Sequence, residues 1–419
     1  MSRHNFLILS LVVIVASLLA ACQPAAPPFE CTDAIGCVDI APGEPLKLGV
    51  LQPLSGGMAL VGADQVRGIE LALAARGDQV LGHPIELQIE DAHCTSEGGT
   101  IAAMKVVADP QVVAILGTTC SGSATTAARI MSEAGLAMVS GLNTAPGLTA
   151  IGGERGADWQ PGYLRVVPSE TAVAQAVATF VLRELGVTKV AIINDGDIPT
   201  RASSDMFEQA FTDLGGEVVL VATVNKGDTD MHPVLTAVAV SGAEMLFFLL
   251  FLPEADLIVL QAKKVAGLEN IILMGGGVLL TDSFIESVGA DGVGVYVAGR
   301  APLEGPALDE LVSAYEARYH ESPRSNAPGQ AFDATNLLLN GIEAVAAQDA
   351  DGTLHIGRQA LRDALYATTD FEGVSGMLTC DEFGDCGTAA RFNVMRLDDP
   401  AAGLEGLLSN VIFTYTPDQ

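Results

Sequence analysis

The chain has 419 residues, of which 49% are hydrophobic, and its 21 Lys and Arg against 51 Asp and Glu give a formal net charge of −30. So acidic a chain argues against nucleic acid and anionic lipid headgroups as partners. The length predicts two domains, and the apolar content is ample for large cores.

Residues 1–21 have the pattern of a secretory signal peptide. Arg3 provides a basic start, an apolar stretch covers residues 6–16, and small residues precede Cys22. The string LAAC at residues 19–22 resembles the bacterial lipobox, in which the cysteine is lipidated and becomes the first mature residue. We therefore expect residues 22–45 to be a lipidated Cys22 and a Pro/Ala-rich tether, anchored to a membrane without crossing it. A cleaved leader with an incidental cysteine is the alternative.

Six cysteines remain after Cys22, and an even number outside the cytoplasm favours disulfides. Of the fifteen possible pairings, spacing favours Cys31–Cys37, Cys94–Cys120 and Cys380–Cys386. The middle pair also has a geometric argument, because the predicted strands 85–90 and 112–116 each end four residues before a cysteine. As parallel neighbours, their ends would lie roughly 5 Å apart, which suits a disulfide. Cys120 would then be locked in a bond and would not serve as a nucleophile.

Strands and helices alternate from residue 46 onward. A first series predicts strands over 46–52, 85–90, 112–116 and 136–140, and helices over 63–75, 99–109 and 121–135. A second series predicts strands over 162–167, 189–195, 217–224, 244–250, 270–275 and 294–299, and helices over 170–186, 203–216, 231–242 and 253–267. The remainder predicts helices over 307–319, 327–347 and 358–368, and strands near 376–380, 390–397 and 410–415.

This alternation determines the predicted fold class. Short β-branched runs separated by helical patterns of about 10–15 residues indicate parallel sheets with right-handed crossovers. Two such series in succession predict an α/β protein with two doubly wound parallel-sheet lobes. The last helices and strands are too few for a third domain, so we expect them to complete the first two.

Polar residues follow the third predicted strand, where it gives way to a helix. Residues 117–130 read GTTCSGSATTAARI, in which Ser121 is a suitable N-cap and Gly122 and Ser123 offer backbone N–H groups. In open α/β sheets, ligands bind beyond the carboxyl ends of strands, and the positive end of a helix favours a carboxylate or a phosphate. The following loop, residues 141–149, would bring Thr144 to the same spot. The pattern predicts an anion-binding helix mouth, with an ordinary helix cap as the alternative.

Several stretches together resemble the substrate-binding proteins of ABC importers, in the branched-chain amino acid (Leu/Ile/Val)-binding family. They are residues 46–62, 90–94, 115–149, 215–219, 252–262, 272–277 and 371–385. The resemblance implies the type I periplasmic-binding-protein fold, in which two lobes joined by three crossings close around a ligand. It also implies a disulfide matching Cys94–Cys120. The implied partners are a small-molecule ligand, most simply an amino acid or related carboxylate, and an ABC transporter permease, with the protein itself a monomer outside the cytoplasm.

The resemblance also implies how a ligand is held. By this resemblance, the α-carboxylate of a ligand would be bound by the hydroxyls of Ser121 and Thr144 and by backbone groups near Leu142. Two tyrosines that line the pocket in the family are replaced here by Val61 and Pro199. An aromatic residue of the pocket wall is retained as Phe251. The acidic residue that often receives the α-ammonium falls on Gly277, and Asp197 and Glu254 are the candidate replacements. The full set of candidate ligand-binding residues is Thr119, Ser121, Gly122, Leu142, Asn143, Thr144, Asp197, Phe251, Glu254 and Gly277.

The expected division of the mature chain follows the same resemblance. The N-terminal lobe would hold residues 46–167 and 301–374, and the C-terminal lobe residues 168–300 and 375–419. The three crossings would lie near residues 166–169, 298–302 and 375–390.

Enzyme signatures are weak. Ser121 lies between Thr119 and Ser123 and so lacks the flanking glycines of a nucleophile elbow, and no lysine follows Gly117 or Gly122 as a P-loop requires. The histidines are scattered without a metal-binding pair. We expect no catalytic residues, no cofactor and no metal. A ligand-sensing ectodomain of the same fold is an alternative, but it would need an attached signalling segment and the chain ends at Gln419.

Overall fold

The computed structural model describes residues 29–196, 198–323, 325–387 and 391–416. The predicted signal peptide, Cys22 and Asp197 lie outside the described residues. The main helices are α1 (Ala59–Ala75), α2 (Ser96–Val107), α3 (Ser121–Glu133), α4 (Glu170–Thr179), α5 (Ile198–Asp213), α6 (His232–Ser241), α7 (Glu254–Ala262), α8 (Asp282–Val288), α9 (Pro306–Tyr319), α10 (Ala327–Val345), α11 (Arg358–Tyr366) and α12 (Gly403–Ser409). A π-helical stretch, Phe180–Glu184, extends α4.

Every predicted strand is present within a few residues of its predicted bounds, and the structure adds short strands that were not predicted, namely β1, β3, β7, β8, β15, β16 and β17. In the first half they are β1 (Cys37–Ile40), β2 (Leu46–Gln52), β3 (Gln79–Val80), β4 (His83–Asp91), β5 (Val112–Gly117), β6 (Ala137–Ser140), β7 (Ala150–Ile151), β8 (Glu154–Arg155) and β9 (Tyr163–Arg165). In the second half they are β10 (Lys189–Asn194), β11 (Glu217–Thr223), β12 (Met245–Leu249), β13 (Ile272–Gly275), β14 (Tyr296–Arg300), β15 (Ala347–Gln348), β16 (Leu354–Gly357), β17 (Phe371–Gly373), β18 (Gly376–Leu378), β19 (Phe392–Arg396) and β20 (Val411–Tyr415).

Two large sheets form the centres of two lobes. The first has the order β3–β4–β2–β5–β6–β9 and is parallel except for the short β3–β4 pair. The second has the order β11–β10–β12–β13–β14–β19–β20 and is parallel up to β14, after which β19 and β20 add antiparallel edges. The predicted α/β class with two doubly wound lobes is confirmed.

Helices cover both faces of each sheet, which explains the unbroken apolar runs in the sequence. Every residue of β5 is buried, as are residues 190–194 of β10, because a parallel strand that is covered on both faces cannot alternate with polar residues. Close helix packing also positions the first lobe's α3. A Cβ atom at Gly99 of α2 would lie 2.3 Å from the carbonyl oxygen of Ser123, so only glycine permits this approach of α2 to α3.

The chain passes between the lobes three times. It leaves the first sheet after β9 and enters α4, returns between β14 and α9, and leaves again between β18 and β19. Leu378, Cys380 and Cys386 pack in the core of the first lobe. The lobe boundary predicted at residues 374 and 375 stays a prediction, and this packing favours grouping residues 376–387 with the first lobe.

The hairpin of β17 and β18 is held by one buried carboxylate. Asp333 of α10 is 1% exposed and accepts hydrogen bonds from the N–H groups of Val374 and Ser375 at 2.8 and 2.7 Å, and from the Ser375 hydroxyl. A Cβ at Gly373 would lie 2.5 Å from Asp333 Oδ2, so the turn closes directly on the carboxylate. Burial raises the pKa of Asp333 to about 6, against the lowering effect of these hydrogen bonds.

This buried carboxylate predicts a pH-dependent stability. Because the folded pKa lies above the value of 3.8 for an unperturbed aspartate, the folded state binds the extra proton between about pH 4 and pH 6. We therefore expect the free energy of unfolding of the wild-type protein, relative to Asp333→Asn, to rise by about 2 kcal/mol as the pH falls from 7 to 4. Urea unfolding at a series of pH values measures this difference, with the exposed Asp205→Asn as the control. A difference that stays constant with pH would contradict the assignment.

Within the part of the chain that the structure describes, no helix is both long enough and apolar enough to cross a bilayer.

Candidate ligand-binding site

The mouth of helix α3 is joined to the loop that follows β6. The Ser121 Oγ accepts hydrogen bonds from the N–H groups of Thr144 and Ala145, both at 3.2 Å. The N-cap position belongs to Cys120, and the N–H of Ser123 donates to the Cys120 carbonyl at 3.0 Å. The prediction that Ser121 caps its own helix is therefore wrong, because its hydroxyl is taken by the neighbouring loop and the first turn is satisfied by the backbone.

Disulfides fix the segments around this mouth. Cys94, which follows β4, is bonded to Cys120, immediately before α3. The structure also contains the Cys31–Cys37 and Cys380–Cys386 disulfides, so all three pairings favoured by spacing are present. The Cys94–Cys120 bond ties the turn that precedes α3 to the loop after β4, at the same carboxyl edge of the first sheet.

A cavity of about 420 Å³ lies at the carboxyl edge of the second sheet and reaches Thr144 of the first lobe. Most of its wall is apolar and comes from the second lobe. These apolar side chains include Val173, Val177, Met206, Phe207, Phe247 and Phe251. The cavity therefore lies beyond the ends of parallel strands, where ligands of open α/β sheets are expected.

Three of the predicted residues line this cavity: Thr144, Phe251 and Gly277. Phe251 is 43% exposed, and the Lys226 Nζ lies 5.9 Å from the centre of its ring. Gly277 offers no side chain, and a Cβ there would lie 3.3 Å from the Ala298 carbonyl oxygen. This part of the wall is thus apolar and closely packed.

Other predicted residues are committed to bonds within the protein. The buried Thr119 hydroxyl bonds the Gln52 Oε1 at 2.6 Å, at the end of β2. The fully buried Asn143 side chain bonds Thr118 and accepts from the Tyr163 hydroxyl at 3.0 Å.

Two further candidates are engaged in the same way. The N–H of Leu142 donates to the Ser140 Oγ at 3.2 Å. Glu254 is buried in the first turn of α7, where its Oε1 accepts from the N–H of Gly227 at 2.6 Å. Glu254 thus holds a loop of its own lobe. Gly122, the second residue of α3, is open on its outer side, since a Cβ there would meet no heavy atom within 4 Å.

Two charged residues of the cavity were missed by the sequence analysis. Glu170, the first residue of α4, and Arg300, the last of β14, both line it. Arg300 donates to the Pro168 carbonyl at 3.1 Å, and burial lowers the pKa of its guanidinium, an effect that the Glu170 carboxylate opposes. The sequence feature that could have identified Glu170 is its position directly after the N-cap Ser169, at the first predicted crossing between the lobes.

A buried ion pair connects two of the crossings. Arg165 at the end of β9 is 0% exposed, and its guanidinium donates to Asp385 Oδ2 at 2.8 and 3.3 Å. The same guanidinium donates to the Ala145 carbonyl at 2.7 Å, so the ion pair also supports the Thr144 loop. Burial raises the pKa of Asp385, and the Arg165 charge opposes the rise.

The described part of the chain holds no group of three or more His, Cys, Asp or Glu arranged for a metal ion. His93, beside Cys94, instead contacts the Ser55 hydroxyl at 2.8 Å.

Comparisons with known proteins agree on one family. A family profile described as "Periplasmic binding protein" matches residues 45–399. The Leu/Ile/Val-binding protein homolog 3 of Brucella melitensis is 27% identical over 369 residues, covering 86% of this chain and 94% of that protein.

Solved structures of similar fold hold different ligands. A branched-chain amino acid transporter substrate binding protein from Streptococcus pneumoniae, in complex with isoleucine, has a TM-score of 0.64 at 20% identity and covers 89% of this chain and 99% of its own. A solute binding protein from R. palustris, in complex with 4-hydroxybenzoate, has a TM-score of 0.66 at 20% identity and covers 90% and 98%.

Proposed function

This chain belongs to the periplasmic binding protein family, and on that premise we propose that it captures a small carboxylate-bearing ligand between its two lobes and delivers it to the permease of an ABC transporter. Members of the family are extracytoplasmic solute-binding proteins. We propose that this protein likewise performs no chemistry on its ligand and is held at the membrane by a lipid on Cys22.

The observation that carries this proposal is the cavity of about 420 Å³ between Thr144 of the first lobe and the apolar wall of the second. Such a volume suits a small metabolite with an apolar body. The helix mouth of α3 lies beside Thr144, joined to it through Ser121, and its positive end favours a carboxylate. A ligand held at the mouth would touch both lobes, which is what drives a hinged protein to close.

An amino acid with an apolar side chain is the leading ligand. It is supported by the names of relatives such as the Brucella protein and by the apolar walls of the cavity. A carboxylate without an ammonium group is the second candidate, because Gly277 offers no acidic side chain at the position where the family resemblance implies an ammonium partner, and a protein of similar fold holds 4-hydroxybenzoate.

Thermal unfolding against a ligand panel tests the proposal. The panel consists of the twenty amino acids, their amides, and small aromatic and aliphatic carboxylates. A true ligand present at about 100 times its Kd should stabilise the folded state by about 2.7 kcal/mol. We expect at least one apolar amino acid or carboxylate to do so, with glucose as the control because the apolar walls would leave its hydroxyls unpaired.

Small-angle scattering on the stabilised sample should show a smaller radius of gyration, because the lobes close. A panel without any stabilising member would contradict the proposed function.

A further inference from the structure

Residues 29–40, here called the N-terminal strap, are built into the first lobe. Strand β1 of the strap pairs antiparallel with β16 over four residue pairs. Its residues Val38 and Ile40 are 3% and 1% exposed and belong to the core of the first lobe. The tether predicted for residues 22–45 is therefore part of the first lobe from residue 29 onward.

Asp33 attaches the strap to the start of helix α11. Its carboxylate accepts hydrogen bonds from the N–H groups of Gln359 and Ala360 at 3.0 and 2.9 Å, and so caps a helix more than 300 residues away in sequence. A Cβ at Gly357, directly before α11, would lie 2.6 Å from Asp33 Oδ2, so a side chain there would block this approach. Burial raises the pKa of Asp33, but the backbone N–H groups outweigh that effect and hold the pKa below its usual value. A charged carboxylate at the positive end of α11 stabilises both the helix and the attachment.

The strap is also attached at its first residue. The Phe29 ring stacks on the ring of His355 in β16, with the ring centres 4.0 Å apart and the planes inclined by 11°. His355 is 8% exposed, and its Nδ1 lies 2.8 Å from Oδ1 of Asp39 in β1. The Cys31–Cys37 disulfide closes the intervening loop. The attachments therefore extend from one end of the strap to the other.

The strap lies at the amino edge of the first sheet, whereas the ligand cavity lies at the carboxyl edge. Arg358, which follows β16, donates to the Pro110 carbonyl at 3.4 Å, just before β5 begins. The His83 ring, at the start of β4, contacts the carbonyl oxygens of Glu44 and Gly352 at 3.0 Å each. Strand β5 has six residues, so the two edges of the sheet lie roughly 20 Å apart.

The chain between the strap and Cys22 is short. It consists of the six residues QPAAPP, three of which are proline. Seven peptide steps from Cys22 to Phe29 reach at most about 25 Å, and a Pro-rich segment is semi-rigid. A lipid on Cys22 would therefore hold the first residue of the strap within about 25 Å of the membrane surface.

We infer that the membrane anchor leaves the protein at the amino edge of the first lobe, so that this face is turned toward the bilayer and the second lobe is the one that moves relative to the membrane when the cleft closes. The inference rests on the proposed function, specifically on the lipid at Cys22. It adds which surface of the protein lies next to the membrane.

Energy transfer from a fluorophore on the protein to labelled lipids tests this orientation. The full-length lipidated protein is placed in phosphatidylcholine vesicles, because the exposed Asp39, Glu44 and Asp351 near the strap would be repelled by an anionic surface. One sample carries the fluorophore on Asp351→Cys, at the amino edge of the first lobe. The other carries it on Val240→Cys, since Val240 is 82% exposed at the end of α6, just before β12 begins.

The two labelled positions lie at opposite ends of the molecule. The carboxyl edges of both sheets face the cavity, and each sheet has strands of six residues, so the positions are at least about 40 Å apart. We expect a higher transfer efficiency from position 351 than from position 240. Labelling is done without reductant, because the cysteines of the described chain are paired in disulfides.

Releasing the strap should move the first lobe away from the bilayer. With Phe29→Ala and Asp33→Ala added to Asp351→Cys, nine peptide steps to Cys31 and the 6.0 Å Cα separation of the Cys31–Cys37 disulfide give a reach of about 40 Å. The transfer efficiency from position 351 should therefore fall. Glu30→Gln is the matched control, since Glu30 is an exposed charge of the same strap, and it should leave the transfer efficiency unchanged.

The outcomes separate this inference from the proposed function. Equal transfer from the two positions of a lipidated, vesicle-bound protein, or more transfer from position 240, overturns the inference while the proposed function stands. The same holds if the released variant is folded by circular dichroism and its transfer efficiency is unchanged. A protein that carries no lipid on Cys22 by mass spectrometry, or that does not bind the vesicles, overturns both the inference and the proposed anchor, whereas ligand capture is decided by the ligand panel. The comparison of positions 351 and 240 decides the question even if the released variant does not fold.

Discussion

Replacing Ser121 with alanine is expected to weaken ligand binding by about 10- to 150-fold, because a buried ligand carboxylate loses a charge-assisted hydrogen bond worth about 1.5–3 kcal/mol. The unfolding free energy of the unliganded protein should also fall, by about 1–2 kcal/mol, because the N–H groups of Thr144 and Ala145 lose their acceptor. Titration calorimetry with the ligand identified by the panel measures the first effect, and urea unfolding measures the second.

Two further variants separate binding from packing. Thr119→Val removes a buried hydroxyl that bonds Gln52, so we expect it to lower stability and to leave affinity nearly unchanged. Ser121→Thr keeps the hydroxyl and should recover most of the affinity. Normal affinity in Ser121→Ala would show that the α3 mouth joins two loops but does not hold the ligand.

The second large effect concerns the Cys94–Cys120 disulfide. The bonded residues are 26 positions apart, and replacing both with serine should lower the free energy of unfolding by about 3–4 kcal/mol through loop entropy. Affinity should also fall, because the turn before α3 must then be ordered by the ligand itself. The measurements are urea unfolding and ligand titration on the double variant.

The Cys31–Cys37 pair provides the matched control. Its residues are only 6 positions apart, so its removal should cost about 2 kcal/mol. Cys37 begins β1 of the small sheet β1–β16–β15, which contributes no residue to the cavity. An equal loss of stability in both double variants, with affinity unchanged in each, would show that the Cys94–Cys120 bond does not support the site.

The sequence predicted the parts of the fold that depend on local pattern. Runs such as residues 112–116 and 244–250 are apolar because both faces of their sheets are covered. Such a run can be recognised as a buried strand from its own residues, without knowing which strands pair with it. Strands β1 and β16 were missed, because four-residue strands that pair across more than 300 residues leave no periodic signal.

The candidate site divides in the same way. The helix after β5 and the loop containing Thr144 follow from the order of strands, so their proximity could be expected. The role of Ser121 could not be predicted, because a serine at this position can either cap its own helix or accept hydrogen bonds from the next loop, and the sequence pattern is the same in both cases. Glu170 was missed because its contact with Thr144 exists only once the first crossing turns back beside the loop after β6.

The three disulfides all lie in the first lobe or the segment leading into it, and the region from α4 to β14 contains no cysteine. This has a consequence for biogenesis. The first two bonds join residues close in sequence, so each can be oxidised as soon as its own segment is released in an exported chain. Helices α10 and α11, which complete the first lobe's core, emerge only after the second lobe's parallel strands have been made. The first lobe would thus be incomplete, but already cross-linked, while the second lobe is synthesised. During that interval the Cys94–Cys120 disulfide would hold the N-terminus of α3 beside the loop after β4.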